Sequence, residues 1–394
     1  MNSPVDLARH DTMPKLMAHN AEKWPDRIAV REKDLGIWIE RTWRESLDET
    51  SAIACGLVEI GLRPGEVVGL IGQNRPGLLY GQVAAHAAGG MSLGIYEDAL
   101  AEEVGYLVAF AGAAVILAED EEQVDKFLDL GDRIPTVRWI VYADPRGMRK
   151  HDDPRLMTLA SLKERGRARL AKEPDFFRRL VAADDGERVA VLCTTSGTTA
   201  HPKLASMAAG PMLRHAAALL HLEAKGPDDQ YVSVLPMPWV GEQINAVAQH
   251  LVSGIVVNFV EDKTTTNHDL REIGPTTLLY PPRVWEGVQA DIKARIMDSS
   301  WLKRRFYEIG IDLGLKALDR GERSWLADLL VGRALRDRIG FSRLRSATTG
   351  GAALGPDTFR FFRAIGVPLR QVYGQTETAG IHCGHPEGDI DYDT

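Results

Sequence analysis

The stretch Cys193–Lys203, CTTSGTTAHPK, gathers hydroxyl groups around one glycine and closes on Pro-Lys. A polyphosphate such as that of ATP carries about four negative charges near neutral pH, so a loop that holds it must supply donors and positive charge. Thr194, Thr195, Ser196, Thr198 and Thr199 offer hydroxyls beside their backbone N–H groups. Gly197 lets the backbone approach closely, Pro202 stiffens the return, and Lys203 adds a full charge. No Gly-Lys-Ser/Thr is present, so this is not the GxxxxGK[ST] phosphate loop. Taken alone, the stretch fits two readings equally: a phosphate loop, or a polar turn after a strand.

Two more stretches carry groups of the matching kind. In Val372–Gly380, VYGQTETAG, Glu377 is a hard oxygen ligand suited to Mg²⁺. Thr376 is a donor for a phosphate oxygen, and Tyr373, beside Gly374 and Gln375, offers a flat face to a base. In Thr348–Leu354, TTGGAAL, the small residues Gly350, Gly351 and Ala352 let a flat or long ligand lie against the backbone. Each also has a plain reading, a Gly-Gly turn and a surface Thr-Glu.

These stretches need strands to position them, and apolar β-branched runs supply candidates. Glu66–Gly72, Ala113–Asp120 and Arg138–Asp144 read as buried strands, with Pro76 opening a helix after the first and the acidic run Glu119–Glu122 starting one after the second. Further strands are expected at Glu187–Thr195, Tyr231–Met237, Gly254–Val260, Thr276–Pro282, Leu344–Gly351 and Leu369–Gly374. Strands alternating with helices predict parallel sheets covered by helices. The charged stretch 145–188 reads as the link between two halves, residues 1–185 and 186–394. Asp291–Arg345 differs from the rest, with 13 Lys/Arg against 8 Asp/Glu and with Trp301, Phe306, Tyr307 and Trp325. It lies in a helical basic segment at 283–343, open to two readings: a solvated hairpin, or a surface for a membrane or partner.

The chain of 394 residues exceeds one ordinary core, so two or more lobes are expected. A net charge of -8, an aromatic content of 7% and the lack of a basic groove with interleaved aromatics argue against nucleic acid as a partner. Cys55, Cys193 and Cys383 are too far apart for a disulfide framework, which predicts a reducing compartment. The N-terminus has no apolar signal-peptide core, and no window reaches the ~20 apolar residues of a membrane span. The expected location is cytoplasmic, with peripheral contact at the inner face of the membrane left open.

The order TTSGTTxxPK, LPMPWVGEQ, TGGAAL, YGQTE resembles the acyl-adenylate-forming enzymes, and within them the bacterial long-chain acyl-CoA synthetases. The flow of RTWRESLDETSAIACGLVEIGLRPGEVVGLIGQNRP is similar too, so the resemblance covers most of the chain. It implies an α/β fold: two packed sheet-and-helix subdomains of the N-terminal AMP-binding domain. Its activity would be fatty acid plus ATP plus CoA to acyl-CoA, AMP and pyrophosphate. Thr195, Ser196, Gly197, Thr198, Thr199 and Lys203 would hold the β/γ-phosphates. Gly350, Gly351 and Ala352 would line the adenine and carboxylate pocket, and Tyr373, with Gly374 and Gln375, would pack on adenine. Thr376 would touch the α-phosphate and Glu377 would hold Mg²⁺. Trp239 would pack on the acyl chain or gate its entry, with a core tryptophan as the alternative; Glu242 and Gln243 would position its loop.

This sequence departs from the family at Ala200 and Leu204, where glycines are usual, and at Trp239, where histidine is frequent. A positive φ at Ala200 would cost ~1 kcal/mol. The family also continues beyond YGQTE with a ribose-binding Asp, a barrel and a mobile C-terminal domain carrying a lysine, and these are not found here. The chain is therefore expected to be an incomplete form, with adenylation severely impaired and thioester formation absent. Two alternatives stay open: an adenylating enzyme using another carboxylate or a carrier-protein thiol, and a truncated non-catalytic module that binds nucleotide or acyl chains. Cys193 reads as a buried strand residue, not a nucleophile, and His382, Cys383 and His385 read as a loop without a fourth metal ligand.

Overall fold

The structure is a computed structural model and describes residues 5–195, 202–386 and 388–392. The phosphate-loop candidates Ser196, Gly197, Thr198 and Thr199, and the departure at Ala200, lie outside the described residues. The strands are β1 (Ile28–Asp34), β2 (Ile37–Thr42), β3 (Val67–Ile71), β4 (Met91–Ile95), β5 (Ala113–Ala118), β6 (Trp139–Tyr142), β7 (Leu156–Thr158) and β8 (Val189–Thr195). They continue with β9 (Lys203–Ala208), β10 (Gln230–Ser233), β11 (Val256–Phe259), β12 (Thr277–Tyr280), β13 (Ser346–Thr349), β14 (Leu369–Gln375) and β15 (Gly380–Gly384). All nine strands expected from apolar runs are present.

The chain divides into two compact units. The first comprises residues up to His221 together with Leu235–Phe259. The second comprises Leu222–Val234 and the chain from Val260 onward.

In the first unit a seven-stranded sheet runs β7-β6-β5-β3-β4-β8-β9. Its pairs are parallel except β8–β9 at the edge. Strands β3 and β5 are buried along their whole length, as parallel strands covered on both faces must be. The core under them is built from Ile71, Leu93, Val108, Ile116, Phe127 and Ile140. The division expected at residue 185 falls before β8, which pairs in parallel with β4 of this sheet. The same unit holds β1 between β2 and β11, antiparallel to the first and parallel to the second.

Local sequence explains the helices that cover this sheet. Thr42 and Glu45 form a capping box that starts the helix Trp43–Glu59: the Thr42 hydroxyl accepts from the Glu45 N–H at 3.2 Å, and Glu45 accepts from the Thr42 N–H at 2.8 Å. This helix lies tight against Leu159–Lys172, because a side chain at Gly166 would come within 1.8 Å of the Ala52 carbonyl. Asp120 caps the helix Glu121–Leu130, whose first turn holds Glu121 and Glu122. Glu119 stands outside that helix and has another use: it accepts from the Gln73 N–H at 2.6 Å and from Arg75 at 3.2 Å.

In the second unit the strands run β15-β14-β13-β12-β10, parallel except β14–β15. Their core centres on Trp285, Phe341, Phe359 and Phe362, with Trp285 edge-on to Phe362 at 4.8 Å between ring centroids. The indole N–H of Trp285 donates to the carbonyls of Tyr280 and Thr348, which ties the helix Pro282–Met297 to β12 and β13. The segment 283–343 is helical, as expected: Pro282–Met297, Trp301–Leu318 and Trp325–Arg338, the last with a π-helical turn at Asp328–Gly332.

Candidate active site

Within the first unit, β8 and β9 bracket the Ser/Thr-rich stretch. Thr195 and Lys203 are cross-strand partners at the end of the hairpin, Thr195 half-buried and Lys203 exposed. Behind them Cys193 is buried in β8, and burial pushes its thiol up to about 12. Leu204, where the resemblance leads one to expect glycine, sits in β9 opposite Thr194 and packs against the core of this unit. Its φ is not positive, so strand geometry accommodates the branched side chain.

The segment Leu235–Gln243 is also in the first unit, held by residues that no local pattern marks. Asn74 donates to the Leu235 carbonyl at 2.6 Å and accepts from the Met237 N–H at 3.2 Å. Gln82 and Gln243 exchange two amide hydrogen bonds, at 2.6 and 3.1 Å, and Gln243 donates to the Met237 carbonyl. Glu242 and Gln243 are buried, which suits a positioning role for that loop. Trp239 is half-buried, and its carbonyl accepts the first helical N–H groups, those of Glu242 and Gln243. Pro238 lies so close to β4 that a Cβ at Gly94 would come within 2.8 Å of its Cα.

Within the second unit, the TGGAAL and YGQTE stretches are brought together at the ends of β13 and β14. Gly350 follows β13 directly, and a Cβ there would sit 2.9 Å from the Val372 side chain of β14. Gly351 has a φ of 88°, a left-handed conformation open to glycine. Gln371 donates to the Ala352 carbonyl at 2.9 Å, fixing the small-residue turn to β14. Open α/β sheets bind ligands outside the carboxyl ends of their parallel strands, and these turns lie there.

Tyr373 is 56% exposed, and its hydroxyl accepts from Gln375 at 3.0 Å. Gly374 lies where β14 and β15 meet most closely: a Cβ would come within 2.1 Å of the Gly380 carbonyl. Thr376 and Glu377 then turn out of β14 in a short 3₁₀ segment, Thr376 half-buried and Glu377 exposed. The segment ends at Ala379, a non-glycine residue at φ 58°, a conformation that costs ~1 kcal/mol and is seen most where backbone shape serves a ligand.

The strands behind this end are tied down at their starts. Glu223 accepts from Ser346 of β13 and from Arg370 of β14 at 2.8 Å, and pairs with Lys225 at 3.1 Å. Burial works to raise the Glu223 carboxyl, but Lys225, Ser346 and Arg370 outweigh it and hold the group below the usual range.

The donor set fits a magnesium ion. Among the described residues, three His, Cys, Asp or Glu ligand atoms converge at Glu121–Asp125–His151 and at His268–Asp269–Glu272, and Glu377 belongs to neither group. A lone exposed carboxylate, with other positions left to phosphate oxygens and water, is the protein share that Mg²⁺ commonly takes. His382, Cys383 and His385 do not converge on a metal: His382 lies 3.0 Å from the Thr378 hydroxyl, and His385 stacks on Phe359.

The profile of the AMP-binding enzyme family matches residues 17–393. A long-chain-fatty-acid–CoA ligase of Xenopus laevis is 27% identical over 393 residues, covering 94% of this chain and 52% of the relative. Another, from Mycobacterium bovis, is 26% identical, covering 96% of this chain and 62% of the relative. The chain thus spans about half to three fifths of the length of these curated relatives. Among solved structures, an anthranilate CoA ligase in complex with anthranoyl-AMP has a TM-score of 0.73 at 16% identity, over 96% of this chain and 63% of that one. A long-chain-fatty-acid–CoA ligase from Archaeoglobus fulgidus has a TM-score of 0.72 at 14% identity, over 98% and 67%. At such low identities the structural likeness shows the fold, that of the N-terminal domain of adenylate-forming enzymes. With the family's profile matching nearly end to end, over residues 17–393, this chain belongs to the AMP-binding enzyme family.

Proposed function

We propose that the chain adenylates a long-chain fatty acid as the first step of fatty acid–CoA ligation. A carboxylate oxygen attacks the α-phosphorus of ATP, the bond from that phosphorus to the bridging oxygen breaks, and pyrophosphate leaves. In the whole ligation the CoA thiol then attacks the acyl carbonyl, its proton passes to solvent and AMP departs. The observation that carries this reading is the cluster at the ends of β13 and β14, where Gly350, Gly351 and Ala352 flank an exposed Tyr373, with Thr376 and Glu377 next in the chain. The names of the curated relatives support the fatty-acid substrate.

The roles follow from the residue types. Attack by an anion on a polyanion is slowed by like charge, so donors and cations must face the phosphates. Thr195, Ser196, Gly197, Thr198, Thr199 and Lys203 serve the β/γ-phosphates, with Lys203 neutralising charge on the leaving pyrophosphate. Thr376 donates to an α-phosphate oxygen. Tyr373, Gly374 and Gln375 hold adenine, with Gly350, Gly351 and Ala352 leaving room for it and for the carboxylate. Trp239 contacts the acyl chain. Glu377 would hold Mg²⁺, which supplies Lewis-acid screening of the phosphate charge. The proposed setting is the cytoplasm, in keeping with three unpaired cysteines.

The substrate class is tested by binding of non-hydrolysable acyl-adenylate analogues to the chain, measured calorimetrically. A palmitoyl analogue should bind at least about tenfold more tightly than an acetyl one, because each buried CH₂ contributes ~0.8 kcal/mol. Equal affinity for the two would overturn the long-chain assignment while leaving adenylation intact.

A further inference from the structure

The helices Pro282–Met297 and Trp301–Leu318 meet at a short turn whose tip presents Met297, Trp301 and Leu302, exposed by 67%, 70% and 54%. Soluble surfaces rarely leave three large apolar side chains side by side in water. The apolar face continues along the second helix through Phe306 and Ile309, at the i, i+4, i+7 spacing from Leu302 that places them on one flank. That flank adjoins the side that packs inward, where Gly310 meets Val331 and Gly314 meets Ala364.

Cations surround this tip. From Lys293 to Arg305 there are five Lys/Arg against Asp298 alone, a local net of +4 in a chain of formal charge -8. Lys293, Arg295, Lys303 and Arg304 are in no ion pair among the described residues, whereas Arg305 pairs with Glu308 at 3.3 Å and Lys316 with Asp312 at 2.7 Å. A solvated helical hairpin would be expected to pair its charges along i, i+4 rows. Here the unpaired cations lie at the tip, where the apolar side chains are most exposed.

We propose that this hairpin tip docks onto an anionic lipid bilayer surface. Trp301, Leu302 and Met297 enter the boundary between headgroups and acyl chains, while Lys293, Arg295, Lys303 and Arg304 face lipid phosphates. An acidic protein surface would satisfy the cations and leave the apolar tip in water. A bilayer interface takes both at one depth, with long basic side chains reaching up from an apolar helix face. The attraction of the basic tip to anionic lipid offsets the repulsion expected from the net negative charge of the whole chain. The inference does not depend on the fatty-acid reading.

The test is co-sedimentation of the full chain with phosphatidylcholine vesicles prepared with and without phosphatidylglycerol, at low and high salt. The chain should bind the anionic vesicles and not the neutral ones, and release as salt rises. Lys303→Glu/Arg304→Glu should lower the partition coefficient by tenfold or more. Trp301→Ser/Leu302→Ser should do the same with charge unchanged; Trp301, Leu302 and Lys303 are exposed and Arg304 is half-buried, so unchanged circular dichroism is expected. No sedimentation with anionic vesicles, or equal sedimentation of all variants, would overturn the proposal. Loss in the charge variant alone would also overturn it, in favour of a purely electrostatic surface for an acidic macromolecule.

Discussion

Thr195 and Lys203 are cross-strand partners in the β8–β9 hairpin, so the Ser/Thr-rich stretch they bracket begins and ends at one point on a sheet edge. Lys203 is exposed there, with its charge available to a ligand. If it serves the β/γ-phosphates, Lys203→Ala should weaken ATP binding about tenfold, the size of one charge-assisted hydrogen bond. AMP, which lacks those phosphates, should bind unchanged. Titrations of both nucleotides check this; equal losses would remove Lys203 from that role.

Gly94 is required by a close approach. A methyl group there meets backbone, the Pro238 Cα at 2.8 Å, and backbone cannot turn aside as a flexible side chain can. Gly94→Ala should cost ~1–3 kcal/mol in urea unfolding. Gly287 lies in the exposed part of the helix Pro282–Met297 with nothing within 4 Å of an added Cβ. Gly287→Ala should therefore stabilise by ~0.5–1 kcal/mol. Similar shifts from the two would contradict the packing described at Pro238.

How far these features can be seen in the sequence depends on burial. Most of the nine strands marked by apolar runs are well buried, β14 being the exception with only Leu369 and Val372 buried. The β1–β2 hairpin, IAVREKDLGIWIERT, escaped because charged residues interrupt it; its partly exposed strands turn at Leu35–Gly36, both at positive φ. β7, β9 and β15 were missed because they are short or polar and lie at sheet edges, and β4, though buried between β3 and β8, because Ser92 and Gly94 interrupt its apolar run. The ligand-type residues could be read because phosphate, base and metal each demand particular side chains. Their supports could not: Asn74 and Gln82 hold the Leu235–Gln243 segment from about 160 positions away, and such a pairing leaves no local pattern.

The thiols offer a separate check on the chemistry. Burial pushes Cys55 up to about 11 and Cys193 up to about 12, and Cys383 is exposed. In the native chain one thiol should react quickly with Ellman's reagent and two only on unfolding. Cys193→Ala should retain adenylation, since the proposed reaction needs no covalent thioester to the protein. Loss beyond about tenfold, with folding intact, would implicate that thiol in the chemistry.

Acid sensitivity should follow from two buried imidazoles. His86, beside the Ser92 hydroxyl, and His250, stacked on Trp43, are both pushed down by burial to about 4. In the unfolded chain they titrate near 6.5, so below that pH the unfolded state binds protons that the folded state refuses. Stability should be full above pH ~6.5 and fall as the pH drops toward 4, by a few kcal/mol for the pair. Urea midpoints between pH 7.5 and 5 check the trend; His250→Phe should flatten the slope by about one proton.

The account rests most directly on Glu377. The decisive measurement is palmitate-dependent exchange of labelled pyrophosphate into ATP by this chain, as magnesium is varied, for the wild type and for Glu377→Ala. The account predicts exchange that requires magnesium and palmitate and that falls at least about a hundredfold in the variant, with ATP still protecting both proteins thermally. Exchange in Glu377→Ala at the wild-type rate and with the same magnesium dependence would contradict it.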